Sequence, residues 1–441
     1  MRGVTDVLPA TARTLYARTA RAQRDGRVPG LVAGVVRDGG LAWSAARGDV
    51  AEPHRDVQYR LGSITKTVTA ITVLRLRDEG LLDLGDPLEH HVPGTPLGDR
   101  TLGQLLSHMA GATSESPGTW WERAPGTSLD GLGLSPADAV LPAARRFHYS
   151  NLGFGLLGEL VARVRGRAWS DVARDEVLLP LGMTRTTPRP VPPAAQGWAV
   201  HPWADVRQPE PEHDAVVMAP AGQLWASAAD LARLGAFLIG DTGEVLAPAT
   251  LEEMVLPSGV DSGDTVGWSS YGLGVQVRRV EGATLVGHGG SMPGFLAGLW
   301  VDRDEATGAL ALANTTSGLD GGLPAALIAD VKAAEPTVVG AWAPAPSPVP
   351  LELLGPWYWG PSPYALRAIP GGLLHLGGLG RPGRASRFRP GPDGTWIGMD
   401  GYFAGETLRL DPVALNLATF VFTRTPYDPA APVPGGTCEW R

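Results

Sequence analysis

The chain has 441 residues, 45 of them acidic and 37 Lys or Arg, for a formal net charge of −8. That balance excludes the cationic surface of a nucleic-acid binder, and no apolar run reaches the ~18 residues that a membrane-spanning helix needs. A hydrophobic fraction of 44% against 19% charge describes a folded protein, and the length exceeds what one core fills, so two domains are expected.

Residues 1–20 carry Arg2, Asp6, Arg13 and Arg18 with no apolar stretch between them. The segment does not read as a secretory signal, and a cytoplasmic protein is expected. The single cysteine, Cys438, permits no internal disulfide and fits the same compartment. Residues 9–25 have helical spacing, with Ala12, Leu15, Tyr16 and Ala22 on one face. Residues 31–36 and 41–46 flank Asp38-Gly39-Gly40, a hairpin signature. Helical periodicity follows at 65–82, 101–107, 152–164, 170–179 and 228–239. Between these lie two long irregular stretches, 117–133 and 191–212, rich in Pro, Gly and Trp, and loops of that length are usually functional or disordered. Beyond Gly267 the period becomes strand-like, at 271–279, 284–288, 295–302 and 309–314, and a helix at 323–334 closes the series. Strands at both ends with helices between predict an α+β domain over residues 1–335, its terminal segments sharing one antiparallel sheet. Residues 336–350, rich in Pro and Ala, read as a semi-rigid linker. Residues 351–441 alternate in short segments split by Gly and Pro, which predicts a small all-β, barrel-like domain.

Ser63 and Lys66 stand three apart at the head of the helix predicted from residue 65, a spacing that puts both on one face. A serine hydroxyl is a weak nucleophile until a base takes its proton. A desolvated lysine can be that base because burial lowers its pKa, whereas arginine stays protonated. Only Lys66 and Lys332 are lysine in this chain, so each invites a reason. The competing reading makes Ser63 an N-cap and Lys66 a solvated first-turn residue, where a cation opposes the helix dipole. In Tyr149-Ser150-Asn151, the phenol can relay a proton to a leaving group, and the amide can hold a substrate amide or orient the lysine. Equally, Tyr149 fits a core aromatic and Asn151 a helix N-cap. In His288-Gly289-Gly290-Ser291, at the end of a predicted strand, the glycines let a substrate backbone lie close. The N–H groups of Ser63 and Ser291 would then form an oxyanion hole, and His288 would add a donor or a group titrating near neutral pH. The plainer reading is a glycine turn after an edge strand.

In this order, S-x-x-K, Y-x-N and H-x-G resemble the motifs of the penicillin-recognising serine enzymes. These form the β-lactamase-related family of class C β-lactamases, D-alanyl-D-alanine carboxypeptidases, D-aminopeptidases and esterases. Leu105-Leu106-Ser107-His108-Met109-Ala110-Gly111, Pro180-Leu181-Gly182-Met183 and Ala219-Pro220-Ala221-Gly222-Gln223-Leu224 are also similar to family segments. The resemblance spans residues 10–335. It implies a β-lactamase/transpeptidase-like antiparallel sheet flanked by helices beside an all-α subdomain, with the site at their junction. It further implies Ser63 as the acylated nucleophile and Lys66 with Tyr149 as proton carriers. Asn151 would bind the substrate amide, Gly290 and Ser291 would border the oxyanion, and His288 would face a carboxylate or leaving group. No cofactor and no metal are implied. The substrates implied are small peptides, esters or thioesters with a D-configured acyl residue. Histidine in the third motif departs from the lysine usual in β-lactamases. A neutral imidazole holds a carboxylate less firmly than an ammonium, which argues against efficient β-lactam hydrolysis. The β domain looks like the lipocalin-like appendage of some members. The same combination resembles penicillin-binding-protein-type thioesterases, which release and cyclise nonribosomal peptides, and a carrier-bound peptide would then be the substrate.

Other patterns compete less well. Gly153-Phe154-Gly155-Leu156-Leu157-Gly158 matches a dinucleotide fingerprint but lacks the following parallel strand with its terminal acid; close helix packing is the better reading. Gly289-Gly290-Ser291-Met292-Pro293 misses the nucleophile elbow at Pro293. His90-His91 stand without H-E-x-x-H or a cysteine cluster, so no metal site is expected. Trp120-Trp121, Trp198 and Trp203 fit core anchors and cleft walls equally. A non-catalytic peptide-binding or scaffold descendant of the fold would need no paired base, which Ser63, Lys66 and Tyr149 supply.

Overall fold

The computed structural model of the protein describes residues 5–261, 269–336, 338, 341–380 and 383–427; Cys438 and part of the 336–350 linker lie outside them. The chain divides into two compact units, Met1–Val338 and Val339–Arg441.

The first unit contains five long helices, α1 (Pro9–Asp25), α2 (Thr65–Asp78), α3 (Asn151–Arg165), α4 (Ala228–Ile239) and α5 (Leu323–Ala334). Its main strands are β1 (Gly30–Arg37), β2 (Gly40–Gly48), β3 (Gly259–Asp261), β4 (Ser269–Tyr271), β5 (Gln276–Val280), β6 (Ala283–Met292), β7 (Phe295–Asp302) and β8 (Thr307–Ala313). The β1–β2 hairpin turns through Asp38 and Gly39, both at positive φ (50° and 80°), the turn class whose twist matches the strands. β1 then pairs antiparallel with β8 from the far end of the unit, Leu31 opposite Ala313 and Arg37 opposite Thr307. Among the described residues the sheet has eight strands in the order β2-β1-β8-β7-β6-β5-β4-β3.

β1 is apolar on both faces. Leu31, Ala33 and Val35 pack with Leu15 of α1 and Leu327 and Val331 of α5, while Val32 and Val36 pack with Leu234 and Phe237 of α4. A strand covered on both sides loses the polar alternation of a half-exposed one. α2 is buried almost all round, from Thr65 to Leu74 without a break, as befits a helix in the middle of a core. α3 packs by its glycines: a Cβ on Gly158 would stand 2.0 Å from the Pro220 side chain. Residues 147–150 form no strand, so the dinucleotide context is missing and close packing accounts for the pattern.

Three predicted elements need correction. The strand expected at 271–279 is broken into β4 and β5. At the break, Gly274 (φ 79°) would put a Cβ 2.2 Å from that of Ala70 on α2, and its carbonyl accepts the Thr67 hydroxyl at 2.9 Å. The strand expected to end at 288 runs on to Met292 as β6. The helix expected at 170–179 is Trp169–Ala173 followed by a π turn, Arg174–Leu178. Among the described residues no helix is long and apolar enough to cross a membrane.

In the second unit, eight antiparallel strands between Gly355 and Thr423 close into a barrel, the last joining the first where Thr423 pairs with Tyr358. Trp357, Leu366, Leu374, Phe388, Leu415 and Phe422 are among the side chains that fill its core, and the Trp357 indole donates to the Leu353 carbonyl at 2.9 Å. The lipocalin-like form expected from sequence is the form observed.

Gly274→Ala tests the contact that seats β5 against α2. It is expected to cost about 2–4 kcal/mol of unfolding free energy, combining a strained φ with overpacking against backbone-anchored atoms. Gly282→Ala shares the positive φ (87°) but has nothing within 4 Å of the added methyl, and should cost about 1 kcal/mol. Equal losses for the two variants in urea unfolding would refute the packing account.

Candidate active site

Ser63 lies in the short 3₁₀ turn Gly62–Ile64 that leads into α2, and no side chain caps either element. The N-cap reading of Ser63 therefore fails. Two glycines let this turn touch β6. Gly62 has φ 54°, and a Cβ on it would come 2.4 Å from the Ser291 nitrogen; a Cβ on Gly290 would come 1.9 Å from the Leu61 carbonyl oxygen and 3.2 Å from the Ser63 nitrogen. The turn carrying Ser63 and the strand carrying Ser291 thus touch backbone to backbone, the proximity that an oxyanion hole made of their N–H groups would need. The third motif lies within β6, not in a turn after it. β6 pairs with β5 only as far as Gly287, whereas its pairing with β7 continues to Met292. Among the described residues, 289–291 have no strand partner on the β5 side, which leaves an edge that an extended substrate can join.

Lys66 is fully buried, which excludes the solvated reading. Its Nζ stands 2.9 Å from Ser63 Oγ and donates to the Ala221 carbonyl at 2.7 Å, with the rings of Tyr149 and Phe154 at 4.9 and 5.8 Å. Burial lowers its pKa from 10.5 to about 7, against the upward pull of Glu115 and Glu122. A neutral amine holding Ala221 through one N–H keeps its lone pair for the serine proton. Tyr149 also hydrogen-bonds Ser63, and burial raises its phenol above the usual value. Although the residue is part-exposed at the cleft, the phenol stays protonated, which leaves it able to donate a proton but not to act as a phenolate base.

Asn151 is not the N-cap of α3. Ser150 is: its Oγ accepts from the Gly153 N–H at 3.0 Å and donates to the Thr113 carbonyl at 2.6 Å. Asn151 is the first helical residue, buried, with Nδ2 donating to both Glu115 oxygens at 2.8 and 3.0 Å. The Trp121 indole donates to the same carboxylate at 2.6 Å, while Asn151 Oδ1 has no partner.

His288 is neutral, as the comparison with lysine assumed, and is not the group titrating near neutral pH that the sequence also allowed. Its Nδ1 faces the Gly289 carbonyl, which only accepts, so Nδ1 carries the proton. Nε2 then accepts from the Tyr271 hydroxyl at 2.9 Å. Burial, with the Lys66 charge next, pushes its pKa down to about 3. The imidazole is neutral at physiological pH, does not titrate there, and has both nitrogens engaged inside the protein.

A cavity of about 350 Å³ is lined by Ser63, Tyr149, His288, Gly290 and Ser291, with Gln276, Arg278, Trp300 and Asp320 around it. Lys66 reaches Ser63 from the buried side, and Asn151, tied to Glu115, is not among the lining residues. The tryptophans divide: Trp121 is buried, Trp198 half-buried, and Trp120 and Trp203 exposed. Sequence reasoning missed Glu115, Glu122 and Tyr271, and assigned no role to His108. The His108 ring lies 4.2 Å from that of Tyr149 and 4.4 Å from that of Tyr271, and its Nδ1 accepts from the Ser150 N–H at 3.0 Å. Its place in the quoted segment 105–111 was the available signal.

The family model described as Beta-lactamase matches residues 16–334, and a Domain of unknown function (DUF7586) matches 346–424. Beta-lactamase-like protein 2 of Dictyostelium discoideum is 26% identical over 56% of this chain and 49% of its own length. The chain spans about half the length of the curated relatives it matches. The octameric penicillin-binding protein homologue from Pyrococcus abyssi shares the fold over 95% of this chain and 100% of its own, with a TM-score of 0.64 at 20% identity. A D-stereospecific amidohydrolase from Streptomyces matches over 74% of this chain and 98% of its own, with a TM-score of 0.61 at 25% identity. The motifs converge on one cleft in that fold and the family model covers well over half of the sequence, so the chain belongs to the Beta-lactamase family.

Proposed function

We propose that the protein is a serine hydrolase or acyltransferase that forms an acyl-enzyme on Ser63, with peptide-like amides, esters or thioesters carrying a D-configured acyl residue as substrates. The observation that carries this reading is the buried amine of Lys66, 2.9 Å from the Ser63 hydroxyl with a pKa lowered to about 7. As Ser63 Oγ attacks the substrate carbonyl, neutral Lys66 takes its proton. The oxyanion develops between the N–H groups of Ser63 and Ser291. Collapse expels the leaving group, which takes a proton from Tyr149 while Lys66 replenishes the phenol. Water, or an amine in a transfer reaction, then attacks the ester carbonyl by the reverse route and restores Ser63. The D-preference is supported by the likeness to the D-stereospecific amidohydrolase. Neutral His288 supports amide and ester substrates over β-lactams, because it presents no cation to a carboxylate.

A fluorophosphonate probe is expected to add one mass increment to the wild-type protein and none to Ser63→Ala. Equal labelling of both, read by intact-mass spectrometry, would remove Ser63 from its role.

Lys66→Arg keeps a cation but loses the base, since guanidinium does not give up its proton, and turnover should fall roughly 10²–10⁴-fold. Because the neutral amine is the active form, kcat/KM should fall about tenfold per unit as pH drops below about 7. A profile that stays flat from ~pH 5 to ~pH 8 would show that another group is the base.

A further inference from the structure

The barrel of the second unit opens with four antiparallel strands, β9 (Gly355–Trp359), β10 (Ser362–Ile369), β11 (Leu373–Gly378) and β12 (Ala385–Pro390). Leu366, Leu374, Leu376 and Phe388 fill its core, so by alternation Arg367, His375, Arg387 and Arg389 point outward. The register sets Arg367 opposite His375, and His375 opposite Arg387. Directly opposed residues stand ~5 Å apart at Cβ, where like charges repel. A cross-strand row of two guanidiniums with an imidazole between them is therefore costly unless an anion meets it. Asp400 meets only Arg387, at 2.5 Å from its Nε. Among the described residues, the side chains of Arg367, His375 and Arg389 have neither a hydrogen bond nor an ion pair, and both arginines are exposed.

Arg367 also borders a groove of about 640 Å³ on the outside of the barrel. The other lining residues are apolar, with Pro356, Ala365 and Leu379 among them, and Leu379 is 40% exposed. His375 leans toward the same side. A Cβ on Gly377 would come 2.7 Å from its Cε1, and Gly377 stands opposite Ala365 of the groove wall. The cationic row and the apolar groove thus adjoin on one face.

We infer that this outer face binds a single amphiphilic anion. The ligand's alkyl or acyl chain lies in the groove, and its carboxylate or phosphate head meets Arg367 and His375, with Arg389 adding attraction. The groove falls in the ~300–1,000 Å³ range of small-molecule sites. A guanidinium presents its fork of donors to a carboxylate or phosphate, and the chain leaves water against Pro356 and Leu379. An anionic bilayer fits less well. Such surfaces call for clusters of ~4–8 basic residues, whereas one arginine of this face is already paired and the whole chain carries −8. The inference concerns the second unit and does not rest on the acyl-enzyme reading.

The test is isothermal titration calorimetry of the full chain with octanoate, octan-1-ol and acetate. Octanoate is expected to bind about 100-fold tighter than acetate, since its chain is buried, and about fivefold tighter than octan-1-ol, since its head is charged. Arg367→Gln should weaken octanoate about fivefold and bring it level with octan-1-ol. Leu379→Asp, at an exposed position on the groove, should weaken it at least about tenfold. Arg409→Gln, on another strand opposite Asn416, should bind as the wild type does, and so should Ser63→Ala. Equal affinity in Arg367→Gln and Leu379→Asp would place octanoate elsewhere and overturn the inference. Loss of binding in Ser63→Ala would do the same by placing it in the Ser63 cleft. Equal affinities for octanoate and acetate would remove the groove, and absence of binding would remove the site. Flotation of the chain with phosphatidylglycerol vesicles, without binding of free octanoate, would assign the face to a membrane instead.

Discussion

The site depends on taking one amine out of water and so weakening its hold on its proton. Lys66 has no exposure at all, and desolvating a charged ammonium costs far more than losing its proton. What surrounds it has to permit that loss. The Ala221 carbonyl accepts one N–H and fixes the amine against Ser63, and the rings of Tyr149 and Phe154 close off solvent. The glycines of the neighbouring segments bring backbone close enough to complete the enclosure: Gly274 against α2, and Gly62 and Gly290 where the turn before α2 meets β6. Each would clash if it carried a side chain, so the packing and the chemistry impose the same residues.

The same constraint explains the protonation of the groups nearby. A second cation beside Lys66 would drive its pKa lower still, and a close phenolate would draw it back up. The structure holds neither. His288 is kept neutral by burial and by its bonds to Tyr271 and Gly289, and the phenols of Tyr149 and Tyr271 are both pushed toward their protonated forms. His108, wedged between the two tyrosine rings, is likewise held well below its usual pKa by burial. Histidine in the third motif therefore contributes shape and hydrogen bonds to Tyr271 and Gly289 and no cation.

The parts that sequence made legible are those with local causes. The hairpin at Asp38-Gly39 follows from turn chemistry, and α4, β7 and α5 follow from uninterrupted periodicity within one stretch of chain. Ser63 and Lys66 were readable because the chain uses lysine only twice, which turned a short pattern into a question about why arginine would not serve. The break between β4 and β5 was not readable, because its cause is Ala70, some two hundred residues earlier. Half of the barrel strands escaped notice for a related reason: segments such as Ala385–Pro390 and Ala414–Leu417 are short and split by glycine and proline, and pairing with neighbours defines them more than composition does. Glu115 was invisible because nothing in its own segment marks it; its meaning comes from Asn151 and Trp121, brought to it by folding.

Charge is thus divided along the cleft. At the nucleophile burial favours the neutral forms of Tyr149, Tyr271, His288 and His108, the setting in which a lysine can act as a base. Farther out on the Asn151 side stands Glu115, open to solvent and supplied with donors by Asn151 and Trp121. Moving Glu115 inward would raise the Lys66 pKa and cost the base its availability at neutral pH; removing it would leave the Asn151 donor end unpaired. The carboxylate is placed where it orients the Asn151 amide at the cost of only a partial upward pull on the Lys66 pKa. A solvent-facing carboxylate and a desolvated lysine coexist because water screens the first and is excluded from the second.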